Sequence, residues 1–300
     1  FRPGVMERMG LGVDALHALR QDLVIARISG FGPEGPMSAV RAYDPIVQAE
    51  AGMATWTSDG PILAPQWMCD KNAGLYAAQA ATAALFARER SGKGAVIDIS
   101  MLEAAIAYGW IDLHGDLAFP DSPSHMPDIG SVYRPWATRD GWIVVVMLSQ
   151  DEFEGWARAI EATDLLENPL FADMTKRFLN WNELRASCAP RIARLTTKEA
   201  VRRLAEEGVP SGVVNRSGSL PDHVQVAHDQ FVTVTHHPQA GRVRRTRPVA
   251  RFDGARCELD SHAPRVGEHS HSVLQAVGLS PAEISAAFVS GAVHAPGEKN

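Results

Sequence analysis

Leu23-Val24-Ile25-Ala26-Arg27-Ile28 runs directly into Ser29-Gly30-Phe31-Gly32-Pro33-Glu34-Gly35-Pro36. The first six residues are β-rich and apolar, the length of a buried strand. The next eight are a loop by composition. A strand that ends in a glycine-rich loop is where open α/β sheets place their ligands. The spacing is neither Gly-x-Gly-x-x-Gly nor a Walker loop, so it assigns no nucleotide motif. The glycines fit either a plain connection with positive φ or a close backbone approach to a ligand.

Working outward, Arg8 to Arg20 reads as a short helix whose start Gly10 and Gly12 disturb. Residues 45–56 read as helical and Pro61 to Pro65 as a loop. Asp70 precedes an Ala/Leu-rich stretch, Lys71 to Arg90, of strong helix propensity, which Ser91-Gly92-Lys93-Gly94 stops. Ala95 to Ser100 is a second strand and Met101 to Ile111 a helix. The order strand, loop, helix, strand, helix indicates an α/β layer. Prolines 120, 123, 127 and 135 mark a linker. Beyond it come a strand (Trp142 to Leu148) and a capping box (Ser149 to Glu152) opening a helix to Ile160. A second box (Thr196 to Glu199) opens a helix to Glu207, and Val209 to Val214 is a turn and strand. This is a smaller α+β unit. Asp222 to Asp260 is strand-rich, and Ser280-Pro281-Ala282-Glu283 caps a last helix. The expected division is a large α/β domain over 1–118, a linker over 119–127, a small domain over 128–220, and a segment over 221–300 that returns to the large domain.

With 45 % hydrophobic and 21 % charged residues in 300, the chain is a folded one, large enough for one big domain or two modest ones. No apolar run approaches the roughly 18 residues of a membrane span. The formal net charge of −6 argues against a nucleic-acid binder. Arg242, Arg244, Arg245, Arg247 and Arg251 form a basic stripe that reads as an exposed strand face. The three cysteines lie far apart without zinc spacing, and His223, His228, His236 and His237 match no ligand pair, so no metal is expected. That cysteine usage points to a reducing, cytoplasmic setting. A Gly-x-Ser-x-Gly elbow is lacking, which leaves a hydrolase triad unsupported. The opening Phe1-Arg2-Pro3-Gly4 is no signal peptide and reads as the interior of a longer protein.

Asp70 is the carboxylate that stands out. At a helix start it is either an N-cap or a carboxylate kept ionised for nucleophilic work. Arg2, Arg8, Arg41 and Lys71 are either surface charges or partners for an anionic ligand.

Four segments together resemble the family III CoA-transferases, the group that includes formyl-CoA:oxalate CoA-transferase, carnitine CoA-transferase and α-methylacyl-CoA racemase. They are Phe1-Arg2-Pro3-Gly4 with the residues to Gly10, Ile28-Ser29-Gly30-Phe31-Gly32 with Gly35-Pro36, Asp70 through Gly94, and Gly267-Glu268-His269-Ser270 with Val273-Leu274 and Gly278. The resemblance implies a Rossmann-like large domain with its N-terminal part upstream of Phe1, a smaller α+β domain, and an interlocked homodimer. It implies that Asp70 is the nucleophile of a CoA-transferase working through an aspartyl-CoA thioester on acyl-CoA and a small carboxylic acid. Phe1, Val5, Arg8, Met9, Arg41 and Tyr43 match positions along coenzyme A, and Asp44 matches a second acidic position beside the site. Racemases of the group carry His where this chain has Tyr43, and Tyr43 is a poor base near neutral pH. A 2-methylacyl-CoA racemase is therefore the alternative, with a non-catalytic CoA-binding paralogue as the contrasting class. The glycine-rich lid of formyl-CoA transferase has no counterpart around Asp128-Ile129-Gly130-Ser131. Trp56, Trp67, Met68 and Trp110 read as either an acyl pocket or core.

Overall fold

The computed structural model describes residues 1–121, 133–257 and 261–295. The linker region and the Gly130 segment thus fall largely outside the described residues. The chain forms two compact units, Phe1–Arg134 with Asp164–Ala186, and Pro135–Thr163 with Ser187–Asn300.

The first unit is built on a parallel pair, β1 (Val24–Ser29) and β4 (Ala95–Ser100), in register from Val24 opposite Ala95 to Ser29 opposite Ser100. Parallel neighbours need a long crossover. Here it carries α3 (Asp44–Glu50), the hairpin β2 (Thr55–Thr57) and β3 (Gly60–Ile62), and the 24-residue α4 (Met68–Ser91). Arg27 lies opposite Asp98 across the pair, and its guanidinium grips that carboxylate at 2.7 and 2.8 Å. Each strand ends on a serine with a capping task. Ser29 Oγ accepts the Gly32 N–H (3.1 Å), and Ser100 Oγ accepts the Glu103 N–H (3.3 Å) at the start of α5 (Met101–His114). Between α3, α4 and α5 lies a core of Val47, Ala51, Cys69, Ala73, Met101, Ala104 and Ala105. Its alanines let the helices come close, and buried Asn72 donates to the Ala104 carbonyl at 2.8 Å.

Two expectations need correcting in this unit. The helix over 8–20 is two, α1 (Val5–Arg8) and α2 (Val13–Leu19), because Gly10 adopts φ 75° between them. The helix over 45–56 stops at Glu50, where Gly52 at φ 68° turns the chain, and the β-branched Thr55 and Thr57 enter the hairpin instead.

In the second unit β5 (Trp136–Ala137), β6 (Trp142–Val145) and β7 (Ser211–Val213) form an antiparallel sheet in that order. β6 is shorter than the expected strand to Leu148. Its inward residues Ile143 and Val145 are buried, as are Phe153 and Trp156 of α6 (Gln150–Ala159). The indoles of Trp136 and Trp156 meet at 5.0 Å between centroids and 48°, and Trp156 Nε1 donates to Cys188 Sγ at 3.3 Å. The box at Ser149 closes in both directions: Ser149 Oγ accepts the Glu152 N–H (3.1 Å) and Glu152 accepts the Ser149 N–H (2.8 Å). The box at Ser280 opening Pro281–Val289 does likewise. The one at Thr196 closes by half. Thr196 takes the Glu199 N–H, but Glu199 turns to Arg202 and Arg203, whose hydrogen bonds hold its carboxyl down to about 2. Further on, β8 (Val232–His237) and β9 (Gly241–Thr246) make a hairpin that exposes Arg242 and Arg244 beside half-buried Val243. In the Gly-Glu-His segment, Gly267 (φ 77°) abuts the His294 carbonyl so closely that no Cβ fits, and Glu268 accepts the Arg265 N–H at 2.7 Å.

Candidate active site around Asp70

α4 begins two residues before Asp70, with Trp67 as its N-cap residue and no side-chain cap of its own. Asp70 is therefore not the N-cap: it is the third helical residue, with an exposed side chain. Its carboxylate makes no hydrogen bond or ion pair among the described residues. A helix start leaves backbone N–H groups without partners in the helix. That of Asp70 donates to Asp44 Oδ2 at 2.9 Å. The cap that the local sequence lacks is thus supplied by a carboxylate 26 residues upstream.

Asp44 opens α3 directly before Pro45, whose fixed φ suits a first turn. It is 2 % exposed. One turn on, Gln48 is 1 % exposed, and its Nε2 donates both to Asp44 Oδ1 (2.6 Å) and to the Gln66 carbonyl (2.8 Å). Gln48 Oε1 accepts the Ala64 N–H at 3.0 Å. Two acceptors face the nitrogen and one donor faces the oxygen, so the network itself fixes which way the amide points. Asp44 and Gln48 together pin the loop over 64–66 and the first turn of α4.

Between the two carboxylates in sequence space lies Cys69, 1 % exposed, its Sγ 3.8 Å from Met53 Sδ. Burial first, and then the charges of Asp44 and Asp70, push its thiol up to about 11. It is a neutral core group at ordinary pH.

The Ser29–Pro36 loop is fastened from two sides. The Gly30 carbonyl accepts the Leu102 N–H of α5 at 3.0 Å. A Cβ at Gly30 would collide with that of Ala42, just ahead of Tyr43 and Asp44. Glycine at 30 is thus required by the protein's own packing. Gly32 and Gly35, at φ 93° and 92°, are turn glycines.

Of the residues matched to coenzyme A, Arg41 and Tyr43 are exposed and run into Asp44, so they share the end of the unit that holds Asp70. Phe1, Val5, Arg8 and Met9 belong to the segment around α1. Arg2 ties that segment to the following loop by donating to the Ala39 carbonyl at 3.1 Å. A cavity of about 330 Å³ opens there, lined by Phe1, Arg2, Gly4, Glu7, Arg27 and Glu34 among others. Val5, Arg8 and Met9 do not line it. Among the described residues no hydrogen bond or ion pair links Phe1, Val5, Arg8 or Met9 to Asp70. Trp56, Trp67 and Trp110 are 80, 60 and 40 % exposed, so none of the three is core, and only Met68 is half-buried. Sequence reasoning missed Gln48. The signal was there in an Asp-x-x-x-Gln spacing, which stacks the two side chains on one helix face.

No helix among the described residues is long and apolar enough to cross a membrane, and no group of three His, Cys, Asp or Glu is placed to hold a metal ion.

The chain is similar to several known proteins. An "Acyl-CoA transferase" of Fusarium pseudograminearum is 28 % identical over 298 residues, 95 % of this chain, which spans 64 % of that protein's length. A "Probable fatty acyl-CoA transferase", Rv3272 of Mycobacterium tuberculosis, is 30 % identical over 90 % of the chain and 72 % of its own length. The crystal structure of Rv3272 superposes with a TM-score of 0.80 over 93 % of this chain and 75 % of that one. A CAIB/BAIF family protein from Brucella suis gives 0.77 at 26 % identity, over 92 % of this chain and 74 % of its own. The profile of CoA-transferase family III matches residues 1–270. The chain belongs to CoA-transferase family III.

Proposed function

We propose that the protein of which this chain is part transfers CoA from an acyl-CoA donor to a small carboxylic acid, with Asp70 as nucleophile. The observation that carries the reading is an exposed Asp70 carboxylate, without a hydrogen-bond or ion-pair partner among the described residues, on a helix turn whose backbone is anchored by Asp44. A free carboxylate oxygen attacks the thioester carbonyl, the carbon–sulfur bond breaks, and CoA leaves as thiolate from an aspartyl–acyl anhydride. The thiolate attacks the Asp70 acyl carbon and expels the donor acid, leaving an aspartyl-CoA thioester. The acceptor carboxylate attacks that thioester in turn, and the released thiolate takes the acceptor's acyl group and frees Asp70. Each hard exchange is split into easier ones. The Asp70 N–H is spoken for by Asp44, so oxyanion donors come from elsewhere.

Phe1, Val5, Arg8, Met9, Arg41 and Tyr43 are proposed to bind CoA, the arginines meeting phosphates by charge-assisted bonds. A homodimer and a cytoplasmic setting belong to the same proposal. Leu75, Phe86, Tyr108 and Ile111 of α4 and α5 are exposed apolar side chains that a partner subunit would cover, which supports the dimer.

The test is to incubate the full-length protein with a panel of acyl-CoAs, quench with hydroxylamine and map adducts by mass spectrometry. A hydroxamate on Asp70, absent from Asp70→Asn, is expected. Solvent exchange of the α-proton of a 2-methylacyl-CoA with no adduct would overturn the proposal in favour of racemase chemistry.

A further inference from the structure

The 1 %-exposed Gln48 amide is used completely. It joins three groups on two pieces of chain: the Asp44 carboxylate on its own helix, and the Gln66 carbonyl and Ala64 N–H of the loop before α4. None of these contacts is needed to make α3 a helix. All of them converge on the residues that lead into Asp70. Asp44 alone could swing its carboxylate away from the Asp70 N–H; a donor held at 2.6 Å on its other oxygen prevents that.

We propose that Gln48 is a positioning residue of the transfer reaction, its buried amide fixing both Asp44 and the 64–66 loop so that the turn carrying Asp70 is held in one orientation. This rests on Asp70 being the nucleophile. Gln48 touches no substrate in this scheme and acts only through Asp44 and the loop backbone. Misplacement of a reacting group by about 1 Å can slow a reaction about 100-fold. The expected signature is therefore a loss in the rate of adduct formation with CoA affinity kept.

The experiment uses the full-length protein and compares Gln48→Leu with Val47→Ala. Leu fills much of the space without the polar atoms. Val47, fully buried one residue away, contacts the same core but makes none of these hydrogen bonds, so its variant is the control for plain loss of packing. The readouts are the thermal midpoint, the Kd for CoA, and the single-turnover rate of the hydroxylamine-trapped Asp70 adduct. The proposal expects Gln48→Leu to slow adduct formation by about 30- to 100-fold with the Kd within about twofold. Val47→Ala is expected to lose comparable thermal stability yet keep a near wild-type rate. Restoring the amide as Gln48→Asn, one methylene shorter, should recover less than the full rate, since it cannot span all three partners. If both variants slow the reaction alike for the same loss of midpoint, Gln48 is merely structural and the proposal fails while Asp70 stands. If the wild type itself forms no adduct, the nucleophile reading fails and takes this proposal with it.

Discussion

Replacing Gly30 by alanine tests whether the glycine loop is shaped by internal packing. The backbone at Gly30 lies outside the positive-φ region, so alanine carries no conformational penalty there. The cost is steric: the new methyl would overlap Ala42 Cβ, with the Ala42 backbone at 3.6 Å behind it. Nothing flexible can give way, because Ala42 leads into Asp44 and the Gly30 carbonyl is tied to Leu102. Overpacking of this kind costs about 1–3 kcal/mol. A midpoint of about 2 kcal/mol is near a 30-fold change in the folding equilibrium. Ala42→Gly alone should cost about 0.5–1.5 kcal/mol, from the lost methyl and added chain freedom. The informative protein is the double variant, in which space reopens. Urea denaturation of the four proteins should show it recovering at least about 1 kcal/mol relative to additivity. Additive losses, or a Gly30→Ala loss below about 0.5 kcal/mol, would refute the packing argument and return the loop to a ligand-contact reading.

Other expectations follow from the same structure. Asp44→Asn leaves either the Asp70 N–H or Gln48 Nε2 facing a donor, and should destabilise by about 1–3 kcal/mol in denaturant titration. Ser149→Ala removes the acceptor from a closed capping box and should cost about 1 kcal/mol by the same assay. Mass-spectrometric alkylation near pH 8 should label exposed Cys257 in the native protein, with buried Cys69 and Cys188 reacting only after unfolding. The Cys69 thiol also sets a pH dependence. Its folded value of about 11 lies above the ordinary 9.0, so the unfolded chain sheds that proton first. Its contribution to stability is complete below pH 9 and declines as the pH climbs toward 11; a Cys69→Ala variant should lack that part of the alkaline decline.

Much of the first unit was legible because its signals are local. β4 occupies the residues its apolar run marks, and in the second unit the boxes at Ser149 and Ser280 begin helices where Ser-x-x-Glu says they should. The start of α4 was not legible for the complementary reason. Trp67, Met68 and Cys69 carry no capping chemistry, and the group that satisfies this helix end sits on α3. A long-range hydrogen bond leaves no mark on the local pattern. The same holds for Glu199, whose part in a box at Thr196 loses to two arginines only once the helix exists to place them. At the candidate site, Asp70 stood out as a carboxylate at a helix start, its nucleophile role was implied by the resemblance, and its place as the third helical residue came from the structure. Asp44 was noted through the resemblance as a second acidic position, and in the structure its carboxylate caps the Asp70 N–H. Gln48 was passed over because an uncharged amide attracts no notice until its partners are known.

The Trp136–Trp156 contact in the second unit has an optical consequence. Two indoles 5.0 Å apart and inclined at 48° have coupled transition dipoles, and a thiol at hydrogen-bond distance from one of them is an efficient quencher. Both rings are at most 1 % exposed, whereas Trp56 and Trp67 of the first unit stand largely in water. The second unit therefore carries a built-in chromophore pair, dim in emission and chiral in the near ultraviolet, that brightens and loses its circular dichroism when that unit opens. The opening of the second unit can therefore be followed without a label, by the near-ultraviolet circular dichroism that the pair loses.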